Sequence, residues 1–429
     1  MQIHVVKEGE TITTIANAFG TTVNALIDAN ELDAPNELVI GQALVIPIIG
    51  QFYFVQPGDS LYSIAQRFGL SYEELARINN ISINQTLPVG FRLYIPQREK
   101  RPIVSNAYIE PLGESVSPAL INAATKHSPD LTYLSIMSYR VNRDGTLNRP
   151  PLDQLPNIAQ SANASLVLVV TNLEEDQFSS ELAHIVLTVQ NARNTLLDQI
   201  INIAYEIGYK DVHFDFEFIY PTDREAYNSF LRMAKDRLSQ AGLTMSTALA
   251  PKTSAAQTGI LYEAHDYETH GELADFVILM TYEWGYGGGP PMAVSPINEV
   301  RKVVQYALTE IPADKILLGQ NLYGYDWTLP YEPGGEFAPA LSPQQAIALA
   351  RENRVAIEYD TTAQAPFFHY TDEAGNQHEV WFEDARSIQA KFNLIKEFDL
   401  LGISYWKLGL AFPQNWLLLT DQFNVTKLT

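Results

Sequence analysis

The sequence predicts an α/β protein: a (β/α)8 TIM barrel with a small α+β insertion between strands 7 and 8, preceded by two small βααβ domains. Three observations carry this expectation. One unit occurs twice in the first hundred residues, and from Ile103 onward short apolar runs alternate with helical stretches. One of those runs, Val212–Glu217, bears ionisable groups where a buried strand would carry apolar ones.

The repeat comes first in the chain. Gly9 aligns with Gly58, Ile15 with Ile64, Ala16 with Ala65, Phe19 with Phe68, Gly20 with Gly69, Leu26 with Leu75, Asn30 with Asn79, and Ile46-Pro47 with Ile95-Pro96, each pair 49 residues apart. In the second copy a short strand around Val55 meets the turn Pro57-Gly58-Asp59-Ser60, which supplies a helix cap. Leu61, Ile64, Ala65 and Phe68 mark a helical face ended by Gly69. Ser71 caps a second helix that stops at Asn79-Asn80, and Phe91–Ile95 is the closing strand. The two domains span residues 1–48 and 51–97, with a charged, proline-bearing linker at 98–102.

Residues 103–429 form the barrel. Eight runs read as strands: Ile103–Tyr108, Tyr133–Ser138, Leu166–Thr171, Val212–Glu217, Met245–Ala250, Phe276–Tyr282, Ile316–Tyr323 and Gly402–Trp406. Eight strands over roughly 330 residues suit a (β/α)8 barrel with insertions, whose active groups cluster at the carboxyl ends of the strands. Between the last two runs, about 328–386, there is too much chain for one helix. Ala356–Tyr359, Phe367–Tyr370 and Val380–Phe382, with the turn Glu373–Asn376, predict an antiparallel insertion walling one side of a cleft.

The fourth run holds the candidate chemistry. Side chains alternate across a strand, so His213, Asp215 and Glu217 share one face, and Val212, Phe214, Phe216 and Phe218 the other. Unpaired carboxylates are costly to desolvate, so such a row persists where its members support one another or meet a ligand. His213, two positions before Asp215, is expected to hydrogen-bond that carboxylate. Taken alone, Tyr282 and Trp406 at other strand ends would more often be core than site.

Composition sets outer bounds. With 46% hydrophobic and 18% charged residues the chain can bury a large core, and with no cysteine it has no disulfide, zinc-thiolate or thiol chemistry. A formal charge of -22 argues against nucleic acid or an anionic membrane as partner. The start, Met1–Gly9, lacks a basic segment followed by an apolar core, and no apolar run is long enough to cross a bilayer. The expectation is a protein made in a cytoplasm without a signal peptide.

Phe214-Asp215-Phe216-Glu217 resembles the end of the Asp-x-x-Asp-x-Asp-x-Glu signature of family 18 glycoside hydrolases, with His213 and Lys210 where that pattern has its earlier acids. Met280-Thr281-Tyr282-Glu283 is similar to the family's sixth-strand Met-x-Tyr-Asp, with Glu283 replacing Asp, and Gly402–Trp406 to its eighth strand. The resemblance implies Glu217 as catalytic acid, Asp215 as the carboxylate assisting the substrate's acetamido group, Tyr282 as the hydroxyl holding that group, and Trp406 as the floor under the sugar. His213, Glu283, Tyr323 and Trp381 are further substrate-binding candidates. It implies a substrate-assisted retaining hydrolysis that calls for no metal and no cofactor.

The repeated unit resembles the LysM module, which binds N-acetylglucosamine-containing glycans. That resemblance places a groove between the loop at Gly58, Asp59, Ser60 and Leu61 and the loop from Asn79 to Ile83. The modules are expected to tether the enzyme and to be dispensable for cutting small soluble fragments. The whole architecture is similar to spore cortex-lytic enzymes, which implies peptidoglycan glycan strands or cortex fragments as partner and the coat or cortex region of a bacterial spore as location. Two other readings remain open here: a chitinase-type hydrolase, and a catalytically silent glycan-binding barrel.

Overall fold

The computed structural model describes residues 1–97 and 99–428; Arg98 of the expected linker lies outside the described residues. In the first repeat, strands Gln2–Val5 and Ala43–Ile46 pair antiparallel around helices Ile12–Phe19 and Val23–Asn30. In the second, Gln51–Phe54 and Arg92–Ile95 enclose helices Leu61–Arg67 and Tyr72–Ile78. Local chemistry explains both. Ser60 and Ser63 form a reciprocal capping box, as do Thr11 and Thr14, and Ser71 caps the following helix. Each unit has its own small core, built on Ile15, Leu26 and Leu44 in one and on Ile64, Leu75 and Leu93 in the other.

All eight expected barrel strands are present and parallel: Arg101–Ile109, Tyr133–Val141, Ser165–Thr171, Asp211–Asp215, Thr244–Leu249, Phe276–Leu279, Ile316–Asn321 and Gly402–Trp406. The first pairs with both the second and the eighth, Asn106 opposite Tyr133 and Val104 opposite Gly402, which closes the ring. The first strand begins at Arg101, inside the expected linker, because the terminal strand Phe423–Val425 pairs alongside Arg101–Ile103. The fourth ends at Asp215, so Glu217 stands on the loop beyond it. Phe218 departs from the face it was expected to share with Phe214 and Phe216: it has φ 53°, is exposed, and stacks on Phe178.

The insertion is a five-stranded antiparallel sheet crossed by helix Pro343–Glu352. It starts at Gly324 rather than near Thr328, because the chain leaves the seventh barrel strand at Asn321 and turns at once into strand Gly324–Leu329. Strand Gln377–Trp381 lies between Gly324–Leu329 and Ala365–Thr371.

The first repeat is welded to the rest. Ala43 and Val45 belong to the barrel's hydrophobic cluster, and Val39 packs with Ile347, Phe368 and Val380 of the insertion. Arg351 forks onto Asp33 at 2.8 and 2.6 Å, and the Ile357 N–H donates to the Ile40 carbonyl at 2.8 Å. Gly41, at φ 85°, passes so close to the Ile357 carbonyl that a Cβ would sit 1.8 Å from its oxygen. The second repeat joins the first through a two-way Gln2–Phe52 pairing, 2.8 Å each way, and through Arg92, which donates to the Ala18 carbonyl at 2.9 Å. Among the described residues no helix is long and apolar enough to cross a membrane.

Candidate active site

A cleft of about 280 Å³ opens at the carboxyl ends of the strands. Asp215, Glu217, Tyr282, Glu283 and Trp406 all line it, together with Tyr108, Met137, Phe178, Tyr262 and Trp284. The fourth strand delivers Asp215 because Phe214 and Phe216 are anchored behind it: Phe214 packs edge-on to Phe230, and Phe216 stacks on Phe230 and Tyr227. Beyond the strand, Asn172 fixes Glu217. Its Nδ2 donates to the Glu217 carbonyl at 2.9 Å, and its Oδ1 accepts the Glu217 N–H at 3.0 Å. Asn172 follows directly on the third-strand run Leu166–Thr171, and that position was its only sequence signal.

Burial drives both carboxyls upward in pKa, and the Asp215 charge pushes Glu217 further. The two therefore titrate as a pair that keeps a proton well above the ordinary carboxylate range. Asp215 Oδ1 is buried without a partner.

Tyr282 extends beyond the sixth strand into the cleft. Gly319 on the seventh strand makes this possible, since a Cβ there would stand 2.9 Å from the Tyr282 ring and 2.2 Å from the Leu279 carbonyl oxygen. Glu283, at φ 67°, accepts the hydroxyls of Tyr323 and Tyr325, the latter at 3.1 Å. Burial raises its pKa and the two hydroxyls pull it back. Tyr323, expected to contact substrate, does not line the cleft; its hydroxyl is taken up by Glu283, which does. Trp406 sits at the end of the eighth strand, edge-on to Tyr108 with ring centres 5.4 Å apart. It also borders a second hollow of about 730 Å³ that continues the cleft past Met137, Phe178 and Trp406 to Arg140, Asn148 and Arg149.

Four expected contacts are corrected. His213 does not bond Asp215 and does not reach the cleft. It lies a layer deeper, fully buried, with Nε2 2.8 Å from the Tyr108 hydroxyl and Nδ1 2.8 Å from Ser246 Oγ, and burial pushes its pKa down to about 3. Trp381 stays within the insertion sheet, stacked on Phe367 at 4.7 Å and donating to Glu379 at 2.7 Å. Asn79 is consumed by the fold: its amide donates to the Leu75 and Tyr94 carbonyls at 2.9 and 2.8 Å and accepts the Tyr94 N–H at 2.6 Å. Gly58, at φ 86°, shapes its turn and does not line the groove beside it.

That groove, about 440 Å³ on the second repeat, runs between the expected loops and is lined by Asp59, Ser60, Leu61, Tyr62, Tyr72 and residues Ile83–Leu87. Hydrogen bonds from the Tyr53 hydroxyl and the Gln56 N–H hold Asp59 below the usual carboxylate range. Tyr62 and Tyr72, exposed and 6.2 Å apart, supply the apolar surface.

Comparison with known proteins accords with this geometry. The model for Glycosyl hydrolases family 18 matches residues 113–411, and that for the LysM domain matches 4–47 and 53–96. The chain is 63% identical over 429 residues to the cortical fragment-lytic enzyme of Bacillus subtilis (strain 168), covering all of both chains. It superposes on the Bacillus megaterium QM B1551 spore cortex-lytic enzyme SleL with a TM-score of 0.93 at 50% identity, over 100% of this chain and 99% of that one. A Chromobacterium violaceum chitinase at 22% identity and TM-score 0.68, covering 75% of this chain and 98% of that one, shares the barrel fold. With the barrel model matched over most of its length and both repeats matched as LysM domains, this chain belongs to glycosyl hydrolases family 18.

Proposed function

We propose that the protein is a peptidoglycan-binding N-acetylglucosaminidase that cuts β-1,4 bonds at N-acetylglucosamine in spore cortex peptidoglycan or its fragments, and that it works in the coat or cortex region of the spore. The observation that carries this reading is the convergence of Asp215, Glu217 and Tyr282 over Trp406 in one cleft. The full-length likeness to the two cortex-lytic enzymes supports the choice of substrate.

In this reading the substrate supplies its own nucleophile. Its 2-acetamido oxygen attacks the anomeric carbon while Glu217, kept protonated by burial and by Asp215, gives its proton to the leaving oxygen. Asp215 stabilises the positive charge that develops on the acetamido nitrogen, and the Tyr282 hydroxyl orients the group. Glu217, now a base, takes a proton from water, which opens the oxazolinium ion with retention. Glu283, held by Tyr323 and Tyr325, shapes the wall beside Tyr282.

The test is Glu217→Gln assayed on purified cortex fragments and on chitin oligomers, with products read by mass spectrometry. Turnover should fall by at least about 10²-fold, the lower end for general acid catalysis, while glycan binding persists. Wild-type products ending in reducing N-acetylglucosamine from cortex fragments support the reading. Cutting of chitin oligomers alone would assign the protein as a chitinase, and more than about a tenth of wild-type activity in the variant would remove Glu217 from the role of acid.

A further inference from the structure

Beyond Trp406 the cleft widens. Met137, Phe178 and Trp406 line both the catalytic cleft and the hollow of about 730 Å³ that adjoins it, which has more than twice the cleft's volume of about 280 Å³. The hollow thus has room for the sugar next to the one over Trp406. N-acetylglucosamine alternates with a muramyl unit in peptidoglycan, so whichever way the chain runs, that next sugar is muramyl. It differs from N-acetylglucosamine in a lactyl arm on O3. The arm ends in a carboxyl group, either free or amide-linked to a peptide with carboxylates of its own.

Three ion pairs ring the hollow, and they are not equivalent. Glu110 pairs with Lys407, whose ammonium also lies 5.4 Å from the centre of the Trp406 ring. Arg149 is forked onto Glu206, 2.8 Å at each end. Arg140 is the least committed: among the described residues its side chain hydrogen-bonds Asp176 alone, Nη1 to Oδ1 at 2.7 Å. Asp176 sits in the turn between strands Leu173–Glu174 and Gln177–Phe178, at φ 61°, with its side chain 84% exposed against 34% for Arg140. An ion pair with one partner in water contributes little and exchanges readily. Most of the Arg140 N–H donors are unspent, and a guanidinium fork grips a carboxylate through parallel hydrogen bonds. Both acids that line the hollow, Glu110 and Asp176, are matched by a cation, which offsets locally the repulsion that a formal charge of -22 presents to an anion.

We propose that the hollow is a muramyl subsite, and that Arg140 gives up Asp176 to bind the carboxylate carried on the lactyl arm. This rests on the reading of the substrate given above. An N-acetylglucosamine in the same place has no arm, so Arg140 stays with Asp176 and adds nothing to its binding. The exchange therefore separates cortex fragments from chitin oligomers. Arg149, held at both ends, forms wall and takes no part in it.

The test compares kcat/KM on a soluble, peptide-free cortex oligosaccharide bearing free lactyl carboxyl groups with that on the same oligosaccharide after conversion of those groups to primary amides, which keeps the shape and removes the charge. A second pair carrying stem peptides, with their carboxylates free or amidated, asks the same of the peptide. Each ratio is taken within one protein, so a loss of folded enzyme in a variant cancels. Wild type should favour the carboxylate form of at least one pair by about tenfold, the worth of one hydrogen bond to a charged group, and the pair that shows the preference identifies the carboxylate bound. Arg140→Gln should bring that ratio close to one, Arg140→Lys should keep part of it, and Asp176→Asn, which frees Arg140, should raise it. Ratios near one in wild type, a preference that survives in Arg140→Gln, or one that falls in Asp176→Asn would overturn the proposal. Failure to cut any of these oligosaccharides would instead strike the proposed substrate, so the two readings fail separately.

Discussion

Gln414, on the last barrel helix, donates its side-chain amide to Asn30 Oδ1 at 2.9 Å and to the Ala43 carbonyl at 2.8 Å, so helix Pro413–Gln422 closes over the inner strand of the first repeat. The first LysM unit is therefore packed against the catalytic barrel. Deleting residues 1–97 should strip the cover from the barrel face that buries Ala43 and Val45, with Val45 alone worth about 1.5–3 kcal/mol, and lower the melting temperature by several degrees. Excising only 51–96, whose ends meet at the Gln51–Ile95 pair, gives up the Gln2–Phe52 and Arg92–Ala18 bonds and the packing of Phe52 and Phe54 on the first unit, but keeps the barrel docking, so it should lower the melting temperature by less than the full deletion does. Calorimetry of the two shortened proteins separates these outcomes, and equal melting temperatures would show that the docking contributes nothing.

Glycan attachment should depend on the second repeat. Tyr62→Ala removes an exposed ring from the groove over Tyr72, and base-level stacking of a sugar on such rings is lost without disturbing the fold, since Tyr62 lies outside the small core. Pull-down on insoluble peptidoglycan should fall several-fold while hydrolysis of short soluble oligosaccharides is unchanged. Undiminished pull-down would move the tether elsewhere.

At Glu283 the family's usual Asp should not be an improvement. Asp tolerates the φ of 67° better than Glu, so Glu283→Asp should leave stability level or slightly higher. The shorter side chain loses its reach to the Tyr323 and Tyr325 hydroxyls, so kcat/KM should fall by about tenfold, the worth of roughly one charged hydrogen bond. Wild-type kinetics with intact melting would show that the pairing with Tyr323 is incidental to catalysis.

His265 gives a pH test of the barrel. Burial is the main cause that lowers its pKa to about 4, while its Nε2 bonds the Phe216 carbonyl at 2.9 Å and its Nδ1 accepts the Ala250 N–H at 2.9 Å. Folded protein thus binds fewer protons at His265 than unfolded protein between about pH 6.5 and 4, and the stability it contributes is full above that window and lost as pH falls through it. The stability advantage of wild type over His265→Gln should shrink by up to about 1.4 kcal/mol per pH unit across that range, measured by urea unfolding. A constant difference would mean that the ring takes up its proton as readily in the folded protein as in the unfolded one.

Much of this protein was legible in its sequence, because the interactions that specify it are short-ranged. Capping by Ser60 and Ser71, the left-handed turns at Gly9 and Gly58 and the repeated apolar spacing act within a few residues, and they specified both βααβ units. Strand alternation likewise put Asp215 on the face that became the cleft, and chain order alone brought Tyr282 and Trp406 to the same end of the barrel. What the side chains meet across the ring was decided by closure. Alternation put His213 beside Asp215 in the row, but its hydrogen-bond partners came from the first and fifth strands, Tyr108 and Ser246, and they turned a supposed cleft residue into a buried one. Asn172 reaches Glu217 from 45 residues away, and Gln414 reaches Asn30 from 384. No local propensity encodes such pairs, since each exists only once the barrel has brought distant strands within hydrogen-bonding distance and excluded the water that would otherwise satisfy them.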